Sequence, residues 1–308
     1  MYDNLNARSS LPDEEAEKAL ALSPAFAGHD GEPNAKGWLT TEYRGLRISY
    51  KRENRMVRIR GSLHTFHHGH NMGQFSAAQV RQACIELAAA VGLAPEALQI
   101  VGLEAGVNLP STVSPRPFLE NLAGHKRSPF TAIKPPKGST RPLEYGAFHG
   151  DYWVKAYDKG GYSRLQGRPL PSTAPPHLLR FEVVYTRARP LLHLTRLAVL
   201  TLADLPKSEV MAAIKDNILA HWNATEHRHQ IQESDFTGLN FSDGLLLLAA
   251  NNALFWKAMK KQSKSDSTYK RKQKRLKELL SQQVTVNPYT DTLHQQLASM
   301  VPALEVQI

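Results

Sequence analysis

Five stretches of this chain alternate apolar and polar residues with a period of two, and that alternation limits what it can fold into. Residues 43–51 (YRGLRISYK) set Leu46, Ile48 and Tyr50 on one face, and residues 56–63 (MVRIRGSL) set Val57, Ile59 and Leu63 on one face. A period of two predicts strands with one buried side. RENR between them reads as a hairpin turn, and Arg52, Arg55, Arg58 and Arg60 make its polar side basic. Residues 76–92 switch to a helical period. Ser76 can cap the helix, Val80, Ala83, Cys84, Leu87 and Val91 form its stripe, and Gly92 ends it. The third alternating stretch, 98–109 (LQIVGLEAGVNL), sets Val101, Leu103, Ala105 and Val107 against Glu104 and Asn108. The order β-β-α-β predicts an α+β fold, with antiparallel sheets carrying helices on one face.

A second half repeats the theme. DYWVKAYDK puts Trp153, Lys155 and Tyr157 on one face and Tyr152, Val154 and Ala156 on the other. LLRFEVVYT puts Arg180 and Glu182 opposite Leu179, Phe181, Val183 and Tyr185. The expected organisation is a polar N-terminal extension over 1–42, with a short helix near 12–22. An α+β domain of two β-α-β-type halves follows over 43–195, its halves joined by a Pro/Lys-rich connection over 110–142. A helical region closes the chain over 196–308.

Composition narrows the class. Apolar residues make up 42% and charged residues 21% of 308, a balance that excludes wholesale disorder. The single cysteine, Cys84, excludes a disulfide framework or a CxxC site and falls on the apolar helix stripe. The N-terminus lacks a basic-then-apolar signal pattern, and the pure apolar run at 245–250 is far short of the ~20 residues a span needs. The expectation is a soluble, unexported, cytoplasmic protein with no membrane partner.

Charge is concentrated. The formal net charge is +10, and residues 257–277 alone hold ten Lys/Arg against Asp266, so the remainder of the chain is close to neutral. Such a segment predicts a polyanionic partner or a solvated helix face. The expected contacts are Lys257, Lys260, Lys261, Lys264, Lys270, Arg271, Lys272, Lys274, Arg275 and Lys277.

Polar constellations on these strand-like backgrounds are the candidates for chemistry. His64, His67, His68 and His70 fall within seven residues, and imidazoles ligate divalent metals. Glu104 and Glu182 sit in apolar strands, where an unpartnered carboxylate is costly to bury. Each alone fits an exposed sheet face. Together with a histidine they fit a hard cation, Mg²⁺ or Mn²⁺. Tyr145, Tyr152, Tyr157 and Tyr162 cluster in one segment, and tyrosine can act as a covalent nucleophile.

Several of these motifs resemble one family. GSLHTFHHGHNMG is similar to the GSPxKxxxGHNxxG segment of filamentous-phage gene-two replication initiators, through Gly61, Ser62, Gly69, His70, Asn71 and Gly73. WVKAYDKGG resembles the (K/R)xYxKG element of those initiators and of plasmid rolling-circle initiators, through Lys155, Tyr157, Lys159 and Gly160. LLRFEVVYT resembles the (L/R)RxE strand that follows, and IVGLEAGVNL stands where those families carry a carboxylate strand. The elements agree in order over about residues 43–190, and the likeness is strongest to initiator-like proteins of Bacteroidetes phages and plasmids. The chain departs from the pattern where Gly69 separates His68 and His70, and where Gly160 leads into Gly161 and Tyr162.

The resemblance implies a protein that binds a replication origin, nicks one DNA strand through a tyrosine with a divalent metal, and rejoins the ends. It implies metal ligation by Glu104, Glu182 and His64 or His70. It implies a nucleophile in the order Tyr152, Tyr157, Tyr145, assisted by Lys155 and Lys159, with Asn71 and Arg180 among the DNA contacts. A non-catalytic origin-binding protein or repressor, and an RNA-binding protein, are the alternatives.

Overall fold

The computed structural model describes residues 2–28, 31–73, 75–168, 176–228, 233–263, 265–281 and 289–300. The first half comprises β1 (Tyr2–Ser10), α1 (Glu14–Leu22), β2 (Trp38–Tyr43), β3 (Leu46–Lys51), β4 (Met56–Ser62), α2 (Leu63–His68), α3 (Ala77–Val91) and β5 (Gln99–Ser111). The second comprises α4 (Arg116–Glu120), β6 (Leu122–His125), β7 (Ser128–Pro129), β8 (Thr131–Ala132), β9 (Glu144–Phe148), β10 (Tyr152–Asp158), α5 (Lys159–Leu165) and β11 (His177–Tyr185). Then come α6 (Ala188–Thr195), α7 (Ser208–Asn223), β12 (Thr225–His227), α8 (Phe241–Leu248), α9 (Ala253–Gln262), α10 (Asp266–Ser281) and α11 (Thr290–Met300). The α+β class expected from the strand and helix periods is the one observed.

Both halves share one antiparallel sheet of nine described strands, in the order β2-β3-β4-β1-β5-β11-β10-β9-β8. They meet where β5 pairs with β11 along nine residues. One face is apolar. Leu5, Ile59, Leu103, Val107, Phe181 and Val154 pack there with Leu87 of α3 and with Met211 and Ile218 of α7. Each such side chain contributes roughly 1.5–3 kcal/mol on leaving water. Helix α3 follows its sequence signals closely: Ser76 and Gln79 form a capping box, and Gly92 ends the helix at φ 65°.

Three expectations are corrected. The N-terminal segment is not merely an extension, because β1 is hydrogen-bonded between β4 and β5 in the middle of the sheet. The 110–142 connection contains α4 and β6–β8, and β6 joins β12 and β7 in a small second sheet. The basic segment forms two helices, α9 and α10, and Lys264 between them lies outside the described residues. Among the described residues no helix is long and apolar enough to cross a membrane.

Candidate metal and tyrosine site

Strand register delivers the polar residues to the other face. Lys155 of β10 lies opposite Glu182 of β11, and Tyr157 lies opposite Arg180. Across the other edge of β11, Glu182 faces Gly106 and Arg180 faces Asn108. Gly106 is required here, since a Cβ would stand 2.4 Å from Glu182 Cγ and 2.5 Å from the Phe181 carbonyl oxygen. Between Tyr2 and Leu5 the β1–β5 register slips. A bulge of this kind re-aims a side chain, and it brings Asp3 to the polar face beside Glu104.

The result is a buried cluster of three carboxylates and three cations. Lys155 Nζ bridges Glu104 Oε2 at 3.0 Å and Glu182 Oε2 at 2.7 Å. Arg180 pairs with Glu182 through Nε and with Asp3 Oδ2 at 3.0 Å, and donates to Asn108 Oδ1 at 2.8 Å. Asn71 donates to Asp3 Oδ2 at 2.8 Å and accepts from Lys159 Nζ at 2.6 Å. Asn71 and its neighbours are held in turn by Asn108, whose amide donates to the Met72 carbonyl at 3.0 Å. Gly61, Ser62 and Gly69 of the same motif shape the approach. A Cβ on Gly61 would meet the Gly45 carbonyl oxygen at 2.8 Å, Ser62 caps α2, and Gly69 ends it at φ 77°.

Burial and pairing oppose each other in this cluster. Burial pushes the Glu182 carboxyl up, but Arg180 and Lys155 hold it below the ordinary range. Burial likewise raises Asp3, but Arg180, Ser62, Lys159 and Asn71 together hold it below the ordinary range. Glu104 stays above the ordinary range, because burial and nearby Glu182 outweigh Lys155. Lys155 is pulled down by burial yet raised overall by Glu182 and Glu104. Lys159 is different: burial and the adjacent Arg180 push it down to about 8.

Oxygens of Asp3, Glu104 and Glu182 lie within 4.8 Å of one another and could hold a metal ion. The donor set fits a hard cation, and Asp3 Oδ1 is buried without a hydrogen-bond partner. The ammonium of Lys155 already bridges two of the carboxylates, so a metal ion would compete with it.

Beside the cluster opens a cleft of about 210 Å³, lined by Tyr157, Tyr162, Lys155, Lys159, Glu144 and Arg168 among others. The Tyr157 ring stands between two ammonium groups, 5.5 Å from Lys155 Nζ and 5.8 Å from Lys159 Nζ. Burial and then Glu182 push its hydroxyl well above the ordinary phenol range. Tyr162 donates to Glu144 Oε2 at 3.2 Å, and burial with Glu144 raises it to about 12.

Other expected residues lie elsewhere. His64 belongs to a helix rather than a strand end, because Ser62 caps α2 by accepting from the Thr65 amide. Its ring is buried, stacked on Phe75 at 4.6 Å, and burial pushes it down to about 2. His70 is exposed and lines the cleft. Neither histidine is in the group of described residues able to share a metal, where Asp3 takes the expected place of a histidine. Tyr152 and Tyr145 pack against the apolar core on the face opposite Lys155. Strand alternation puts them there, so of the three expected nucleophiles only Tyr157 shares the acidic cluster's face.

The basic residues are mostly exposed on α9 and α10, but not all are free. Arg275 is held by Asp243 at 2.7 Å and Lys270 by Asp266 at 2.7 Å.

Sequence reasoning missed Asp3, Glu144 and Arg168, and also a buried histidine chain. His221 Nδ1 lies 3.0 Å from His125 Nε2, and His125 Nδ1 lies 2.9 Å from His149 Nε2. Tyr152 stacks on His149 at 4.6 Å and receives a hydrogen bond from Lys126 Nζ at 3.2 Å. These three histidines span 96 residues of sequence, so no local signal could group them. No protein-family model matches this chain, and no curated protein matches it.

Proposed function

We propose that the chain nicks and rejoins single DNA strands, as a replication initiator of the rolling-circle type does, with Tyr157 as the nucleophile. One observation carries the reading. Tyr157 lies between two lysines at a cleft, on the same sheet face as three carboxylates whose oxygens approach within 4.8 Å. In the proposed step the Tyr157 oxygen attacks a backbone phosphorus. A phosphotyrosine bond forms, the bond to the 3′ oxygen breaks, and that oxygen takes up a proton. Attack by the freed 3′ hydroxyl reverses the step.

The roles follow from the electrostatics. Tyr157 is a neutral phenol at neutral pH and must give up its proton as it attacks. Lys159, at about 8, is partly neutral in that range and is the group in the cleft suited to take it. Lys155 stays charged and steadies the carboxylates in the absence of a metal ion, which would have to displace it from them. Asp3, Glu104 and Glu182 would hold Mg²⁺ or Mn²⁺, which supplies charge neutralisation to a transferring phosphoryl group. Arg168 at the cleft supplies a fixed cation for the flanking phosphate.

A second reading, a DNA-binding protein without chemistry, is favoured by the Lys155 bridge, which already balances the cluster. The experiment that separates the two incubates the protein with a randomised pool of labelled single strands and Mn²⁺, then runs a denaturing gel. The nicking reading expects a covalent adduct that Tyr157→Phe abolishes and Tyr152→Phe retains. An adduct that survives Tyr157→Phe would overturn the assignment. No adduct, with DNA retention intact on a filter, would favour the second reading.

A further inference from the structure

On the first-half side of the sheet, the polar face carries an arrangement that costs stability. Arg8 of β1 lies directly opposite Arg58 of β4, and Arg60 of β4 lies directly opposite Arg47 of β3. Like charges directly opposite on neighbouring strands repel. All four arginines are exposed, and none has an ion-pair partner among the described residues. Glu42 opposite Arg47 is the one acid in these rows. Arg58 and Arg60 are two residues apart on one strand, so they share a face about 7 Å apart.

Shape and aromatic groups complete the surface. A groove of about 490 Å³ runs from Arg47 and Arg60 past Asn4 and Asn6 to Glu104, the carboxylate that Lys155 bridges. At one end of the face Arg58 lies over the Trp38 ring at 4.3 Å. Across the sheet, Trp153 stacks on the exposed Phe148 ring at 4.9 Å.

We propose that this open sheet face, through Arg8, Arg47, Arg58 and Arg60, is a track for single-stranded DNA that leads the strand to the Glu104 end of the acidic cluster. The substrate class rests on the nicking reading, while the arginine rows and the groove are independent of it. Unpaired arginines track a phosphate backbone, and ring faces stack bases without regard to sequence. A broad sheet face suits splayed single strands rather than a duplex groove, which admits a helix or a two-stranded ribbon. The track, rather than α9 and α10, would then give single-strand affinity.

The test measures binding of a fluorescein-labelled 20-nucleotide oligo-dT by anisotropy, in EDTA and on the Tyr157→Phe background, so that failure of the nicking reading leaves it unaffected. Arg58→Ala/Arg60→Ala should weaken binding roughly tenfold or more and lower the salt slope by about 1.4. Arg58→Lys/Arg60→Lys should retain the slope. The alanine variant should melt no lower than the parent, since a repulsion is removed, and its affinity for a 20-base-pair duplex should change little. Unchanged affinity and slope in a folded alanine variant would overturn the proposal. So would an equal loss of duplex binding, or tighter binding of an oligo-U of the same length.

Discussion

Replacing Lys155 with methionine probes the acidic cluster most directly, because its ammonium bridges Glu104 and Glu182 at 3.0 and 2.7 Å. In the parent, Asp3, Glu104 and Glu182 face Lys155, Arg180 and Lys159, and the formal charges cancel. In the variant, three carboxylates face two cations, and Glu182 is wholly buried. Removing one partner of a buried pair costs about 3–5 kcal/mol. With an unfolding entropy of about 2.1 cal/mol/K per residue, that predicts a drop of about 5–8 °C in Tm if the 308 residues unfold together.

The pH dependence has a definite sign. Glu182 in the parent is held below the ordinary carboxylate range, so its contribution is present above pH 4.5 and fades as pH falls below it. In Lys155→Met, Glu104 loses an attraction that opposed its burial. A carboxyl raised in the folded state gains stability as pH falls through its folded value. The Tm penalty should therefore shrink from pH 8 to pH 5. Mn²⁺ should also raise Tm more in the variant than in the parent, because the competing ammonium is gone; a hundredfold excess over the variant's Kd would stabilise it by about 2.7 kcal/mol. An unchanged Tm at pH 8, or an equal Mn²⁺ effect in both proteins, would refute the view of Lys155 as the resident cation.

Three more outcomes follow from the same geometry. Gly106→Ala should cost about 1–3 kcal/mol in urea unfolding, because its Cβ meets Glu182 Cγ and the backbone at Phe181. Burial holds His125 near 4 and His221 near 3, below the ordinary 6.5, so stability should fall as pH drops from 6.5 toward 3. His125→Gln with His221→Gln should flatten that limb in pH-dependent melts. Glu104→Gln should weaken Mn²⁺ binding by calorimetry while leaving oligo-dT affinity in EDTA within about twofold, a ~0.4 kcal/mol effect.

Most strands were legible because alternation survives burial on one face. β3, β4, β5, β10 and β11, and the capped α3, stand where period and caps put them. β1 escaped because its bulge breaks the period between Tyr2 and Leu5, and its polar residues Asn4, Asn6 and Arg8 read as loop. That same bulge hid Asp3. Glu104 and Glu182 were visible as carboxylates in apolar strands, but their neighbours depend on strand order, which alternation cannot supply. The histidines misled for a local reason: a capping serine at Ser62 turns GSLHTFHH into helix, and Phe75 buries the first ring. Tyr152 was already placed by alternation with Val154 and Ala156, on the face that proves apolar.

The sheet divides its labour between faces, and this decides what the charge cluster is for. Its apolar side supplies the hydrophobic burial that holds the two halves together. A buried ion network adds little net stability, since desolvation offsets most of the attraction. The six charges around Glu182, and the repelling arginines beyond them, are therefore not what keeps the sheet folded. The two groups also differ in kind. The cluster is largely buried, and its carboxylates are paired with Lys155 and Arg180. The arginine rows are exposed and lack ion pairs among the described residues. A polyanion can satisfy the arginines without disturbing the cluster, whereas a divalent cation can enter the cluster only by displacing Lys155. Strand capture and metal loading should accordingly be separable, with arginine variants changing the first and Lys155 variants the second.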